Sequence, residues 1–175
     1  MSLDKYIRNI ADFPKPGIAF KDITPLLADP HAVNQCLEIL LKGIGEGKID
    51  KVVGIESRGF FFGTLLANRL GAGFVPIRKP GKLPFDTVSA TYDLEYGSDT
   101  LQIHSDAILK GEKVLVHDDI FATGGTASAA CQLVEKLGGE IVQCNFIMEL
   151  RFLNGRSKTP EFDSSQQSVT DLVRG

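Results

Sequence analysis

Short apolar runs alternate with longer amphipathic stretches along this chain. Runs rich in β-branched residues predict four strands, at Lys51–Ile55, Phe74–Ile77, Lys113–His117 and Ile141–Met148. The spacing of apolar residues between them predicts helices at about His31–Ile44, Gly59–Leu70 and Thr126–Leu137. Strands that alternate with helices of about 10 to 15 residues are typical of β-α-β units. The pattern therefore predicts an α/β fold with a mainly parallel sheet flanked by helices.

Two segments do not follow this alternation. Residues 13–20 contain two prolines and a glycine, which predict a rigid turn flanked by phenylalanines. The segment Lys79–Tyr96 contains two more prolines and an alternating run, Val88–Leu94, and is typical of a long hairpin or a lid. The last stretch, Asn154–Gly175, is polar and weakly patterned, so no packing is predicted for it.

Length and composition indicate a single globular domain over residues 1–175. Hydrophobic residues make up 43% and charged residues 23%, as in ordinary folded domains. A net charge of −3 argues against nucleic acid or a membrane surface as partners. The most apolar stretch is far shorter than the roughly 20 residues of a membrane span, and the first residues lack a signal-peptide layout. We therefore expect a cytoplasmic protein.

Cysteine and histidine spacings do not indicate a metal held by the protein. Cys36, Cys131 and Cys144 are odd in number and far apart, which favours free thiols. Cys144 also lies in an apolar run that is typical of a core. The three histidines lack zinc-binding spacing, and His117 could face the core or influence the acid that follows it.

The strongest chemical signal lies just before the last predicted helix. A valine-rich strand leads into two carboxylates, Asp118 and Asp119. Next comes a loop made of Ala122, Thr123, Gly124, Gly125 and Thr126. Unpaired N–H groups at the start of a helix bind anions, so this loop fits one phosphate monoester. The two carboxylates could accept hydrogen bonds from the hydroxyls of a sugar that carries this phosphate. The structural alternative is that the aspartates and threonines only cap the helix.

Residues 118–126, with the sequence D-D-I-F-A-T-G-G-T, resemble the phosphoribosyl-pyrophosphate signature of type I phosphoribosyltransferases. Further blocks resemble the adenine branch of that family in the same order, at residues 13–25, 57–60, 77–84 and 94–97. The resemblance covers about Asp12 to Leu150. It implies the type I phosphoribosyltransferase fold, with a small hood at about residues 1–30 and a flexible lid at about residues 79–97.

The resemblance also implies the reaction. The 5-phosphoribosyl group of phosphoribosyl pyrophosphate would pass to adenine, giving AMP and pyrophosphate in purine salvage. By the same resemblance, Mg²⁺ is carried mostly by oxygens of the substrate and by waters, with no metal ligand from the protein. The family precedent further implies a homodimer, which composition alone does not reveal.

Basic residues at two places are candidates for binding pyrophosphate. Ser57 and Arg58 follow a predicted strand and open a helix, so they offer backbone donors and a guanidinium fork. A second basic cluster contains Arg78, Lys79 and Lys82. The simpler explanations are an ordinary surface arginine and a solvated basic loop. The resemblance implies that both groups contact the leaving pyrophosphate.

Glu95 is the candidate acid–base group. A ring nitrogen of adenine must lose or share a proton when it attacks the sugar, and a carboxylate under a lid could accept that proton. The resemblance assigns this role to the matching glutamate. The simpler explanation is an exposed acid that faces a basic residue across a hairpin.

The base pocket is the part that the sequence describes least directly. By resemblance, the backbone at Ala19 and Lys21 reads the adenine edge, the ring of Phe20 stacks on the base, and Leu150 packs on its other side. Without the resemblance, Phe20 would be assigned to the core. Lys21 stands where some relatives carry arginine, a change that a main-chain contact tolerates.

Three other functions would leave different marks in the sequence. A related enzyme for guanine, hypoxanthine or xanthine would bind a base with a 6-oxo group. Its base pocket would need a hydrogen-bond donor at the place where the amino group of adenine needs an acceptor. A non-catalytic regulator that senses phosphoribosyl pyrophosphate and binds nucleic acid would need a basic helix or an added domain. A dehydrogenase is disfavoured because Gly71-Ala72-Gly73 precedes a strand, whereas a dinucleotide loop follows one.

Overall fold

A computed structural model describes residues 3–94 and 97–158. The strands are β1 (Arg8–Ile10), β2 (Phe20–Asp22), β3 (Lys51–Ile55), β4 (Gly73–Ile77), β5 (Thr87–Asp93), β6 (Ser98–His104), β7 (Lys113–Phe121) and β8 (Glu140–Glu149). The α-helices are α1 (Thr24–Ala28), α2 (Pro30–Lys42), α3 (Gly59–Leu70), α4 (Gly125–Lys136) and α5 (Gly155–Lys158). Single 3₁₀ turns lie at Asp4–Tyr6 and Arg151–Leu153. No helix within these described ranges is long and apolar enough to cross a membrane.

The central sheet has four parallel strands in the order β4-β3-β7-β8. Its two middle strands carry buried apolar runs, at residues 52–55 of β3 and 114–116 of β7, as expected for strands covered on both faces. One face packs Val53 and Val116 against α4, and the other packs Val52 and Leu115 against α2 and α3. The α/β fold and all four predicted parallel strands are thus confirmed.

The predicted helices are also confirmed, with small differences at their ends. Helix α3 has the predicted bounds, and α4 begins and ends one residue earlier than expected. Helix α2 starts at Pro30 because the Asp29 carboxylate accepts hydrogen bonds from the N–H groups of His31 and Ala32, both at 2.9 Å. This side-chain cap satisfies N–H groups that have no partner inside the helix.

Strand β7 runs four residues beyond the predicted end at His117. Its later residues continue to pair with β8, as Ile120 does with Met148 and Phe121 with Glu149. The buried side chain of Phe121 keeps the strand in place after the two acids. Asp118 and Asp119 therefore lie within the strand rather than after it, where the regular backbone fixes their directions.

The segment predicted as a hairpin or lid contains strand β5, which pairs antiparallel with β6. Ala90, Leu101 and Ile103 on this hairpin are buried and join the core on the α4 side. A bridge joins the hairpin to the end of β4, where the Arg78 and Gln102 backbones exchange hydrogen bonds of 2.9 and 2.7 Å. The hairpin is therefore anchored at its base, next to the carboxyl ends of the parallel strands.

Close packing at the β3–α3 contact requires glycine. A Cβ atom at Gly54 would lie 2.6 Å from Cε2 of Phe74 and 3.0 Å from the carbonyl oxygen of Gly59. A Cβ atom at Gly63 would approach the same ring to 2.9 Å. The phenylalanine ring thus fills the space that two missing side chains leave, which brings α3 close to the sheet.

We predict that Gly54→Ala lowers the free energy of unfolding by about 1–3 kcal/mol, the usual cost of overpacking a core. Adding Phe74→Leu should recover part of this loss, because the smaller side chain vacates the contested space. Gly45→Ala is the control, since a Cβ there meets nothing within 4 Å. Urea denaturation measures all of these variants, and an unchanged midpoint for Gly54→Ala would contradict the packing described.

Candidate active site

The candidate site residues meet at the carboxyl ends of the parallel strands. Glu56, Ser57 and Arg58 follow β3, and the basic cluster that begins at Arg78 follows β4. The two aspartates lie near the end of β7, and Leu150 directly follows β8. Parallel α/β sheets bind ligands at this edge because the strand-to-helix turns there carry free polar groups.

Asp119 is buried, with 2% of its surface exposed, and forms an ion pair with Arg58. Nε of Arg58 lies 3.0 Å from Oδ2 of Asp119. The Asp119 N–H donates to Oδ1 of Asp118 over 2.9 Å, so the two carboxylates are held side by side. Arginine partly offsets the desolvation of Asp119, whereas Asp118 faces the negative charge of its neighbour.

The pKa values of both aspartates follow from this arrangement. Desolvation raises the pKa of Asp118 well above its ordinary value, and the charge of Asp119 raises it further. Desolvation also raises the pKa of Asp119, against the opposing effect of Arg58. A ligand that offers hydroxyl donors to Asp118 would stabilise the charged form of this carboxyl group and offset the effects of desolvation and of the neighbouring charge.

The loop at residues 122–126 wraps around a small cavity of about 100 Å³ at the start of α4. Gly124 adopts a left-handed conformation, with φ of 88°, that other residues rarely take. A Cβ atom at Gly125 would lie 3.0 Å from the Tyr92 ring. No side chain among the described residues caps α4, so the alternative in which Asp or Thr caps this helix is not what the structure has. Free N–H groups at this end can bind an anion.

A second cavity, of about 180 Å³, lies beside the first. Asp118, Ile120 and Thr126 line both cavities. The second cavity is also lined by Glu56, Ser57, Arg58, Lys79, Tyr92 and Asp119. The structure therefore brings together residues that lie as far apart in the sequence as Glu56 and Thr126.

A larger cleft, of about 460 Å³, opens at the opposite edge of the sheet. Its lining includes Lys48, Lys113 and Glu140. These charges are already paired on the surface, Lys48 with Asp50 and Lys113 with Glu140. Size alone would favour this cleft, but the convergence of buried acids, free helix N–H groups and cations favours the smaller cavities as the candidate active site.

The cations of the basic cluster are turned toward carboxylates of the chain. Arg78 and Lys82 contact Glu56, and the Lys79 ammonium contacts Asp99. Ser57 lines the second cavity. The side chains of Arg78, Lys79 and Lys82 are 34%, 39% and 47% exposed, so the cluster is a partly solvated surface whose charges are paired, and its contact with pyrophosphate stays a prediction.

Arg58 also reaches the strand that was predicted to read the base. Its Nη1 donates to the carbonyl oxygen of Lys21 over 3.0 Å, and its guanidinium lies 4.8 Å from the centre of the Phe20 ring. Phe13 packs edge-on to Phe20, with ring centres 5.1 Å apart. Phe20 is half-buried and Ala19 is exposed, so this strand presents a surface rather than core residues.

Glu95 lies outside the described residues, so its place in the site stays a prediction. Its neighbours on the hairpin contribute residues that the sequence analysis missed. The Tyr92 hydroxyl donates to Oδ2 of Asp99 over 3.3 Å and accepts from Thr126 over 3.2 Å. Glu56 could have been noticed because it directly precedes Ser57, whereas no motif marks Tyr92 or Asp99.

The loop at residues 122–126 is braced from the carboxyl-terminal side. A Cβ atom at Gly155 would collide with the carbonyl oxygen of Ala122, so α5 begins in direct contact with the loop. Arg156 holds the buried Glu149 carboxylate through two hydrogen bonds of 3.0 Å. The sequence predicted no packing for this segment, yet its first residues pack against the loop and the end of β8.

His117 faces the core behind the acids. Its Nδ1 lies 2.7 Å from Oδ1 of Asn145, the residue beside it in the sheet. Burial lowers the pKa of His117 to about 4, so the ring is neutral at pH 7. The three cysteines are buried thiols outside any disulfide bond, and Cys144 is a core residue as predicted.

We predict that Asp118→Asn raises the stability of the ligand-free protein at pH 7. A carboxyl with a raised pKa in the folded chain binds its proton more tightly there than in the unfolded chain, so its charge costs stability at neutral pH. The amide keeps an oxygen for the Asp119 N–H. The gain should shrink as the pH falls toward the unfolded pKa of about 4.

Urea unfolding at several pH values measures this effect. Asp106→Asn, at an exposed position, is the control with the same change of charge, and its stability should change little. If Asp118→Asn had a lower free energy of unfolding than the wild type at pH 7, the Asp118 charge would not be destabilised by desolvation and by Asp119, which would contradict the prediction.

Comparison with known proteins identifies the family of the chain. Residues 23–170 match the family model described as "Phosphoribosyl transferase domain". The chain is 64% identical over 163 residues to the adenine phosphoribosyltransferase of Christiangramia forsetii, covering 93% of this chain and 95% of the relative. It is 65% identical over 162 residues to that of Flavobacterium johnsoniae, with the same coverage.

Solved structures agree as well. The adenine phosphoribosyltransferase of Rhodothermus marinus superposes with a TM-score of 0.90 at 51% identity, covering 97% of this chain and 94% of that one. The Saccharomyces cerevisiae enzyme, complexed with an imino-altritol bisphosphate and adenine, gives 0.88 at 44% identity, covering 98% and 96%. Taken together with the acids, the loop and the cations at one sheet edge, these matches show that the chain belongs to the adenine phosphoribosyltransferase family.

Proposed function

We propose that this protein transfers the 5-phosphoribosyl group of phosphoribosyl pyrophosphate to adenine, giving AMP and pyrophosphate. The observation that carries the proposal is the pair of adjoining cavities, which are lined by the glycine loop at the start of α4, by Asp118 and Asp119, and by two cations, Arg58 and Lys79. These are the groups that a phosphorylated sugar with a charged leaving group requires. The product AMP assigns the protein to purine salvage.

The sugar phosphate lies, in this proposal, along the end of β7. The 5′-phosphate binds the free N–H groups and hydroxyls of the loop formed by Ala122, Thr123, Gly124, Gly125 and Thr126. The ribose hydroxyls donate to Asp118 and Asp119. The raised pKa of Asp118 supports this assignment, because the hydroxyls of the sugar would add donors to a carboxylate that accepts from the Asp119 N–H and faces the charge of Asp119 in the free protein.

Pyrophosphate binds, in the same proposal, on the other side of the sugar. The groups that hold it are Ser57, Arg58, Arg78, Lys79 and Lys82. Mg²⁺ fits this site as a group carried by the substrate, because the buried Asp119 is already paired with Arg58. When bound, the ion would neutralise charge on the leaving pyrophosphate. The positive side chains add to that neutralisation as the bond to the sugar breaks.

Adenine lies under the hood in this proposal. Its edge is read by the backbone of Ala19 and Lys21, and its faces are covered by Phe20 and Leu150. The hydrogen bond from Arg58 to the Lys21 carbonyl supports this, because it fixes the direction of that strand. Glu95 accepts the proton that the base gives up while the sugar carbon becomes positively charged. A lid at residues 79–97 would exclude water from that carbon.

We further propose that the protein works as a cytoplasmic homodimer with small-molecule substrates, and with neither nucleic acid nor a membrane as partner. An enzyme for a 6-oxo purine would share the sugar-phosphate groups and differ only at the hood. A regulator that senses phosphoribosyl pyrophosphate would share the same groups and perform no reaction. Turnover with different bases distinguishes all three.

A rate assay with phosphoribosyl pyrophosphate, Mg²⁺ and one base at a time tests the proposed function. Adenine should be converted to AMP, while guanine, hypoxanthine and xanthine should give no product above background. Turnover of a 6-oxo purine would refute the assignment of the base pocket. Binding of phosphoribosyl pyrophosphate without turnover of any base would refute catalysis and favour the regulator.

We predict that Glu95→Gln lowers kcat by roughly 10²- to 10⁴-fold, the usual contribution of a general acid–base group. The amide keeps the size of the side chain but does not accept a proton. The matched control is the exposed Asp93→Asn on the same hairpin, which should turn over at nearly the wild-type rate. Steady-state kinetics decides the matter, since near-normal turnover by Glu95→Gln would remove this residue from the mechanism.

A further inference from the structure

Glu56 occupies a central position among the cations of the site. It follows directly after β3, and its N–H donates to the carbonyl oxygen of Ile77 over 2.9 Å, which fixes the backbone. Only 10% of its side chain is exposed. The carboxylate therefore lies beneath the basic cluster rather than out in solvent.

Donors from the basic cluster converge on both oxygens of this carboxylate. The Arg78 guanidinium lies over it as a fork, with Nε 3.3 Å from Oε2 and Nη2 3.4 Å from Oε1. The backbone N–H of Lys79 donates to Oε2 over 2.9 Å, and the Lys82 ammonium contacts Oε1. Arg78 also donates to the carbonyl oxygen of Lys82 over 3.3 Å, so the donors are tied to each other.

The charge of Glu56 persists despite its burial. Desolvation alone would raise its pKa, but the hydrogen bonds from Lys82, Lys79 and Arg78 outweigh desolvation and lower the pKa to about 2. Glu56 is thus an anion at every pH at which the protein would work. A carboxylate held by a guanidinium fork, an ammonium and an N–H group has the surroundings that a phosphate oxygen seeks.

We propose that Glu56 is an internal counter-ion that occupies the donors of the pyrophosphate site and releases them when pyrophosphate enters. This inference rests on the proposed function, since it takes the basic cluster as the pyrophosphate site. In the free protein, Glu56 keeps the cations converged. In the complex, its remaining negative charge opposes that of pyrophosphate, which weakens binding and favours release of the product.

A purely structural role for Glu56 predicts the opposite result. If the carboxylate only held Arg78 and Lys82 in place, its removal would let them spread and would weaken pyrophosphate binding. If it competes with pyrophosphate, its removal frees the cations and strengthens binding. The sign of the change in affinity therefore separates the two roles.

The test is Glu56→Gln, which keeps the shape of the side chain and removes its charge. Calorimetric titration with pyrophosphate and Mg²⁺ should give a Kd lower than that of the wild type by on the order of tenfold, as expected for loss of one unit charge nearby in a partly hydrated site. The KM for adenine should stay close to the wild-type value. Glu140→Gln is the matched control, because it makes the same change of charge at the opposite edge of the sheet and should leave the Kd unchanged.

An unchanged or higher Kd in Glu56→Gln, in a wild-type background that forms AMP, would overturn the counter-ion proposal and leave the proposed function standing. A wild-type protein that neither forms AMP nor binds pyrophosphate would instead overturn the proposed function. Glu56→Asp provides a second variant if the amide impairs folding. Its shorter side chain withdraws the carboxylate from the cations, so the Kd should also fall, and a higher Kd would again overturn the proposal.

Discussion

The Arg58 guanidinium joins three parts of the molecule that are distant in sequence. It starts at the turn between β3 and α3, pairs with the buried Asp119 on β7 and donates to the Lys21 carbonyl on β2. The same group lies over the Phe20 ring. A carboxylate as buried as Asp119 costs several kcal/mol unless a cation compensates it. This one side chain therefore ties β2, and hence the proposed base pocket, to the end of β7.

The neighbouring charges follow the same principle. Each cation proposed to bind pyrophosphate contacts a carboxylate of the chain, Arg78 and Lys82 at Glu56 and Lys79 at Asp99. Such pairing lets several like charges lie close together in a protein without a ligand, since their mutual repulsion is cancelled locally. Asp118 differs from these paired carboxylates, because it faces another acid and its pKa is raised. It is also the acid with most to gain from the hydroxyls of a sugar.

Apolar periodicity was enough to predict the frame of the molecule from the sequence. The four parallel strands and α3 stand where the pattern predicts them, because uninterrupted apolar runs occur only where both faces of a strand are covered. The end of β7 was predicted too early, since two acids in succession look like the end of a strand. Pairing with β8 outweighs that local signal. Strands β1, β2 and β6 are short or half-polar, and they depend on contacts that no local pattern reveals.

The sequence predicted the candidate site only in part, for a similar reason. The acids and the glycine loop are contiguous in sequence, so their chemistry can be recognised directly. Glu56, Tyr92 and Asp99 act through partners that lie far along the chain, and only the fold brings these together. The packing of Gly155 against the loop likewise depends on where β8 ends. The residues after β8 are polar and weakly patterned, so the sequence does not indicate this contact.

The most direct test of this account is a crystal structure of the protein with phosphoribosyl pyrophosphate, Mg²⁺ and a non-reactive adenine analogue. The account predicts the 5′-phosphate in the loop at residues 122–126, the ribose hydroxyls on Asp118 and Asp119, and the analogue against Phe20. It also predicts that Arg78 and Lys82 contact pyrophosphate. A sugar phosphate bound elsewhere, for example in the cleft lined by Lys48 and Lys113 at the opposite edge of the sheet, would contradict the account.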